Sequence, residues 1–333
     1  MADVALRRPR PPQASWANGG AVLAALLAVG ILLQVFDPGR VAGAQNFLLI
    51  FSSLLIEAVP FVLLGAVVSA SIEVFVPGRV FEKLTALPRP LQLPAAAMTG
   101  FAFPVCECGS VPVARRLAAK GLSPAAAVTF MLAAPILNPV VIASTFVAYR
   151  GRDSLWPMVL GRAGLGLVAA VAIGWVVSNK TKGELLRPRE GDSEHDHSGG
   201  SKAEAFFAHL SGDFLFMGRY LVLGAVVAAA LQTFVPQDVI GSVAGTPVVD
   251  LLAMMALAFV LSLCSESDAF VAASFVQFGV GAQLAFLVFG PMVDTKLGFL
   301  YSATFTRGFF RTVVIGVAGV VLAGTLWIEV LIG

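Results

Sequence analysis

Apolar runs near or beyond the ~20 residues needed to cross ~30 Å of hydrocarbon recur from residue 21 almost to the C-terminus. No other property of the chain so narrows the folds open to it. In lipid every backbone N–H and C=O must find a partner within the protein, so segments of this kind span as helices. The expectation is an all-α polytopic membrane protein. Of 333 residues 58% are hydrophobic and only 13% charged, with a mean hydropathy of +0.87, outside the range of an ordinary soluble domain. A formal net charge of +2 is too small to imply a nucleic-acid partner.

The order of these runs predicts a cytoplasmic N-terminal arm over 1–18 and an extra transmembrane span at 19–36. A first repeat comes next over 45–178, then a flexible cytoplasmic linker over 179–213 and a second repeat over 214–333. Arg7, Arg8 and Arg10 ahead of an apolar stretch could mark a cleaved signal, but no small-residue cleavage site precedes the polar residues 34–40. The first repeat reads as a span at about 47–76, a broken segment at about 92–120, and spans at about 122–148 and 155–178. In the second, spans or broken segments are expected at about 214–235, 247–277, 280–303 and 308–331. Between them, NKTKGELLRPREGDSEHDHSGGSKAE is rich in charge, Gly and Ser, the composition of a solvated loop.

Residues 62–77, VLLGAVVSASIEVFVP, return at 221–236 as LVLGAVVAAALQTFVP, identical at nine of sixteen positions. Placing Pro135 of MLAAPILNP on Pro291 of LVFGPMVDT also superposes Asn138 on Asp294 and Cys108 on Cys264. Orientation is set by the Lys/Arg bias. With the N-terminus cytoplasmic, Arg79, Lys83 and Arg89 fall inside, and Arg115, Arg116 and Lys120 join them if 92–120 is a re-entrant hairpin turning near Cys106. Three spans and one hairpin per half make the repeats inverted; Arg150 and Arg152 are the misfit, placed outside. Two hairpins meeting near the bilayer midplane would build a transport site.

FAFPVCECGSVPVARRL carries the first such break. Pro104 and Pro112 interrupt helix hydrogen bonding and Gly109 permits a turn, which predicts irregular backbone at Cys106-Glu107-Cys108, with Ser110 as N-cap of the following helix. A positive helix end favours thiolates there, and two thiols in C-x-C spacing can grip one soft ion or metalloid. The same cysteines would also serve as small apolar fillers. In LSLCSESDAFVAASF, Cys264 is followed by Glu266 and Asp268, either of which could cap the next helix or carry a coupling ion. Glu57, nearer its span's end, suits a surface role. Kinks at Pro135 and Pro291 would free carbonyls beside Asn138 and Asp294, candidate substrate contacts, with Lys296 available to neutralise Asp294. His195, Asp196 and His197 in the linker make a weak metal motif, better read as solvated loop. Three cysteines in so long a chain exclude a disulfide framework. No Walker-A, H-E-x-x-H or G-x-S-x-G sequence is present, so neither ATP-driven transport by this chain nor hydrolysis is expected, and no enzyme activity or cofactor.

From about residue 45 to 331 the chain resembles the predicted permeases that include the organoarsenical efflux permeases. The resemblance rests on CECGSVPVARRLAAKGLSPAAAVTFMLAAPILNPV and on LCSESDAFVAASF with FLVFGPMVDTK. It implies a bacterial inner-membrane, multi-pass exporter of trivalent methylarsenicals, with Cys106 and Cys108 handling the substrate; Glu107 stands where that family usually has a small residue. The leading expectation is a secondary transporter for a small thiophilic solute, proton-coupled, with Cys106, Cys108, Cys264, Asn138 and Asp294 at the substrate. Glu107, Glu266, Asp268 and Ser110 then serve coupling or helix capping. A metal-cation permease, for zinc for example, and a non-transporting subunit of an envelope or redox complex stay open, as does a homodimer or a partner membrane protein.

Overall fold

The computed structural model describes residues 42–77, 87–102, 105–181, 185–187, 201–234 and 247–332. The expected arm and first span, Pro104, and the His195–His197 motif lie outside them. The chain divides into two units, Met1–Asn46 and Phe47–Gly333, and every residue of the candidate site belongs to the second.

Among the described residues there are twelve helices and no strand. The first six are α1 (Ala42–Phe75), α2 (Arg89–Ala102), α3 (Glu107–Ala119), α4 (Pro124–Leu137), α5 (Pro139–Ala148) and α6 (Leu155–Val176). The next six are α7 (Lys202–Phe234), α8 (Pro247–Leu261), α9 (Asp268–Ser274), α10 (Val280–Phe289), α11 (Thr295–Thr304) and α12 (Arg307–Ile332). Five stretches are long and apolar enough to cross a membrane: Gly43–Phe75, Pro124–Ala148, Leu155–Val176, Lys202–Thr233 and Arg307–Val330.

The order of long and short helices in α1–α6 recurs in α7–α12. Long α1 and α7 have 34 and 33 residues, and α5 and α11 have ten each. At the centre of each set lies a helix with almost no exposed side chain, α4 in the first and α10 in the second. Helix α4 packs against α2, α3 and α6; α10 packs against α8, α12 and α6. The sets interlock by exchange, since α3 packs on α11 and α5 on α9.

Lipid supplies little hydrophobic drive between helices, so close packing must come from small residues. The repeated GAVV segment supplies them. A Cβ on Gly65 of α1 would stand 2.5 Å from the Gly109 Cα of α3, and one on Gly224 of α7 would stand 2.7 Å from the Lys296 Cα of α11. Equivalent glycines thus let each long helix touch the backbone of a short helix from its own set. Ala225 and Ala228 of α7 meet Leu54 of α1 in a small apolar cluster.

Three boundaries differ from those expected. Helix α7 begins at Lys202, not near 214. Ser201 accepts the Ala203 N–H through Oγ, and Glu204 stands in the first turn, so S-x-x-E starts the helix inside the stretch assigned to the linker. Leu185 is buried, and residues 185–187 bond to Thr304 and Thr306, so this part of the linker is anchored to the helices. The break in the first long buried pair falls on Asn138-Pro139 instead of Pro135, which α4 absorbs. Pro139 has no N–H to continue the ladder and holds Asn138 outside the helical region, at φ −54° and ψ 128°.

Candidate functional site

Both acid-bearing breaks, save residues 103–104 of the first, lie among the described residues, at the start of α3 and between α8 and α9. Cys106 is the N-cap of α3, extended at φ −75° and ψ 178°, and helix begins at Glu107. The irregular backbone therefore ends at Cys106, and Cys108 sits in the first helical turn. Ser110 is not the cap: it lies a turn inside, its hydroxyl donating to the Glu107 carbonyl at 2.9 Å. Pro112 does not break α3 either. So close to the start, its missing N–H costs the helix one bond, to the Cys108 carbonyl.

Between α8 and α9 the chain turns through Ser262 to Ser267. Ser262 adopts φ +49°, the left-handed region, and its Oγ accepts the Lys296 N–H at 3.2 Å. Ser267 precedes α9 without a side-chain cap bond. By helix position Ser267 answers Cys106, whereas Cys264, paired with Cys108 by the sequence register, lies earlier, on the approach to the turn.

All three cysteines are free and buried. The Cys106 side chain is within hydrogen-bonding reach of Cys108. Cys264 feels the charges of Lys296, Glu107 and Glu57 and the Cys106 thiol. Lys296 lies within electrostatic reach of Cys264, Asp294, Glu107 and Cys108. The thiols and these charges thus share one neighbourhood, built by α3, the α8–α9 turn and α11. No three His, Cys, Asp or Glu side chains among the described residues are close enough to hold one metal ion.

At its centre Glu107, Asp294 and Lys296 are each 1% exposed. Lys296 Nζ lies 3.8 Å from Glu107 Oε1 and 3.9 Å from Asp294 Oδ2. The second Glu107 oxygen accepts the Ser265 hydroxyl at 3.0 Å, an alternative to Glu266 Oε2 at 3.4 Å. The second Asp294 oxygen caps α11 through the Leu297 N–H at 2.6 Å. Asn138 does the same for α5 through Val140 at 2.9 Å. The two positions matched by sequence are therefore matched as N-caps, and only Asp294 also reaches the charged cluster.

Asp268 is drawn elsewhere. Its Oδ2 receives Arg162 NH2 at 2.7 Å; the same guanidinium donates to the Ser265 carbonyl at 3.0 Å and to Thr145 Oγ1 at 2.9 Å. Arg162 is absent from the residues expected at the site. Its signal is present in the sequence: it is the one charge in LWPMVLGRAGLGLVAAVAIGWV. Glu57 is not a surface group, for it is half-buried and accepts the Ser267 hydroxyl at 2.6 Å. Arg152, the misfit of the charge rule, donates to the Ala273 carbonyl in the last turn of α9 at 2.8 Å, where a cation complements the helix end.

A family model described as "Predicted permease" matches residues 43–329. The "UPF0718 protein YcgR" of Bacillus subtilis (strain 168) is 41% identical over 284 residues, covering 84% of this chain and 96% of that protein. The "Putative two-component membrane permease complex subunit" of Streptococcus mutans serotype c (strain ATCC 700610 / UA159) is 37% identical over 257 residues, covering 75% and 83%. No solved structure matches.

Proposed function

The chain belongs to this family of predicted permeases, and from that premise we propose that it is a secondary transporter for a small thiophilic solute, with trivalent organoarsenicals the first candidate and protons the driving ion. The observation that carries the reading is the pair Cys106 and Cys108, side by side at the start of a buried helix with Cys264 facing the same charges. Soft donors select soft acceptors, and two adjacent thiols suit a trivalent centre with one organic substituent. In this reading α1–α6 and α7–α12 are inverted repeats in the bacterial inner membrane. The N-terminus is cytoplasmic, and the breaks at Cys106 and Cys264 lie near mid-membrane, where irregular backbone lines a transport path.

Methylarsenite accumulation in inverted membrane vesicles tests it. Wild-type vesicles are expected to accumulate the probe, and a Cys106→Ser/Cys108→Ser double substitution to abolish accumulation. Full activity in the double variant would sink the thiol assignment.

A second reading concerns assembly. The Streptococcus mutans relative carries the name of a complex subunit, which favours a permease that works with a second membrane protein. Co-purification of one stoichiometric partner, together with transport that arises only when both are reconstituted, would establish it.

A further inference from the structure

We propose that Glu107, Asp294 and Lys296 form a one-cation coupling site, in which two carboxylates from opposite halves of the chain surround one tethered ammonium and leave a place for a single further positive charge. The inference rests on the permease reading and says where its driving ion binds.

The first argument is charge balance. Two carboxylates and one ammonium sum to one negative charge when all are ionised, the neighbouring Glu266 brings no cation to offset it, and each of the three is 1% exposed. A net charge out of water is costly unless compensated. The second argument is geometry. At 3.8 and 3.9 Å the ammonium is too far from either carboxylate oxygen for a hydrogen bond. Glu107 Oε1, Asp294 Oδ2 and Lys296 Nζ are buried without hydrogen-bond partners, while the other oxygen of each acid is occupied by Ser265 or Leu297. Two unpartnered carboxylate oxygens, each within 4 Å of one unpartnered ammonium, are an arrangement that a bound proton, hydronium or small monovalent cation completes.

The surroundings separate this place from the thiols. Cys108 of α3, Cys264 and Glu266 of the α8–α9 turn and Tyr301 of α11 are the ionisable groups that bear on it, and the Asp268 charge, which also reaches Glu107, is met by Arg162 of α6. From α7 the Lys296 backbone meets Gly224. A soft solute centre prefers sulfur to these oxygens. Loading a trivalent dihydroxy species on two thiols forms two bonds to sulfur and breaks two to hydroxyl. Each thiol proton leaves on a departing hydroxyl, so two waters are released and no charge is gained. A driving ion therefore needs its own seat, and the oxygen-and-ammonium triad is that seat. Because Glu107 stands on α3 and Lys296 on α11, occupancy is felt at the contact between the halves.

The test uses the full chain in liposomes with methylarsenite as probe. Exchange at equal concentrations with no ion gradient is compared with accumulation driven by a pH gradient in sodium-free buffer, and by a sodium gradient at equal pH. Wild type is expected to accumulate in one arm, which identifies the cation. Glu107→Gln leaves a neutral Lys296–Asp294 pair, and the ratio of driven accumulation to exchange should fall about tenfold, the loss of about 1.4 kcal/mol of coupling. An unchanged ratio overturns the site. A second readout needs no transport. The unfolding midpoint of detergent-solubilised wild type should rise with added sodium or with falling pH, because a ligand that binds the folded state stabilises it, and Glu107→Gln should lose that response. Equal responses in both overturn the cation site. Wild type without exchange, but with a midpoint response that Glu107→Gln lacks, would sink the permease reading and leave the cation site standing.

Discussion

Arg162 on α6 and Asp268 at the first residue of α9 meet at 2.7 Å with both side chains almost wholly buried. They come from different halves of the chain, 106 positions apart. Since the guanidinium also holds the Ser265 carbonyl, it fixes the turn that carries the site.

Removing one member of such a pair strands the other. Arg162→Met is expected to lower stability by about 3–5 kcal/mol, because Asp268 is left buried and unpaired. Asp268→Asn keeps a hydrogen bond to the guanidinium but also leaves its charge unbalanced. Thermal unfolding in detergent should therefore show both single variants well below wild type, and the apolar double substitution Arg162→Met/Asp268→Leu recovering much of the loss. A double variant as unstable as the sum of the two singles would contradict the pairing.

The glycine contacts make a graded prediction within one helix. Gly224→Ala puts a methyl 2.7 Å from the Lys296 Cα, whereas Gly218→Ala on the same helix meets nothing within 4 Å. The first should cost about 1–3 kcal/mol as overpacking against backbone. The second should be neutral or gain a few tenths of a kcal/mol from helix propensity. Unfolding midpoints of the two variants, measured side by side, decide it.

Phenylarsine oxide offers a direct view of the thiol pair. The wild-type protein is expected to take up one equivalent that protects both Cys106 and Cys108 from alkylation, read by mass spectrometry of the peptide. Cys106→Ser should lose that protection at Cys108 on dilution, since a single sulfur bond exchanges readily with solvent thiol. Protection of Cys108 that persists in Cys106→Ser would move the second ligand to Cys264.

At the start of α7, Ser201→Ala removes the acceptor for the Ala203 N–H. The helix end should fray, at a cost of about 1 kcal/mol. Amide hydrogen exchange of residues 203–205 should rise several-fold while protection across 215–230 stays unchanged.

Features written into a few adjacent residues are legible without the fold. Pro, Gly and acids inside apolar runs locate the breaks at Cys106 and Cys264, and a shared register pairs Asn138 with Asp294, which the structure makes matching helix caps. Properties that depend on distant partners are not legible in this way. Glu57 reads as superficial because its partner Ser267 lies 210 positions away. Ser110 suits a cap by residue type, yet Cys106 takes the position because α3 starts four residues earlier than a Ser110 cap would have it. Arg162 is visible as a lone charge in a span, but nothing local indicates that Asp268 would answer it.

Three polar side chains at the entry to α9 each reach a different helix: Ser265 to Glu107 on α3, Ser267 to Glu57 on α1, and Asp268 to Arg162 on α6. A seven-residue helix has little stability of its own, so α9 stands where these three bonds hold it. The turn therefore acts as a junction box. A rearrangement at any one of the three helices is felt at the turn, one step along the chain from Cys264, and in the transporter reading proposed above a solute held at that thiol would be felt by all three.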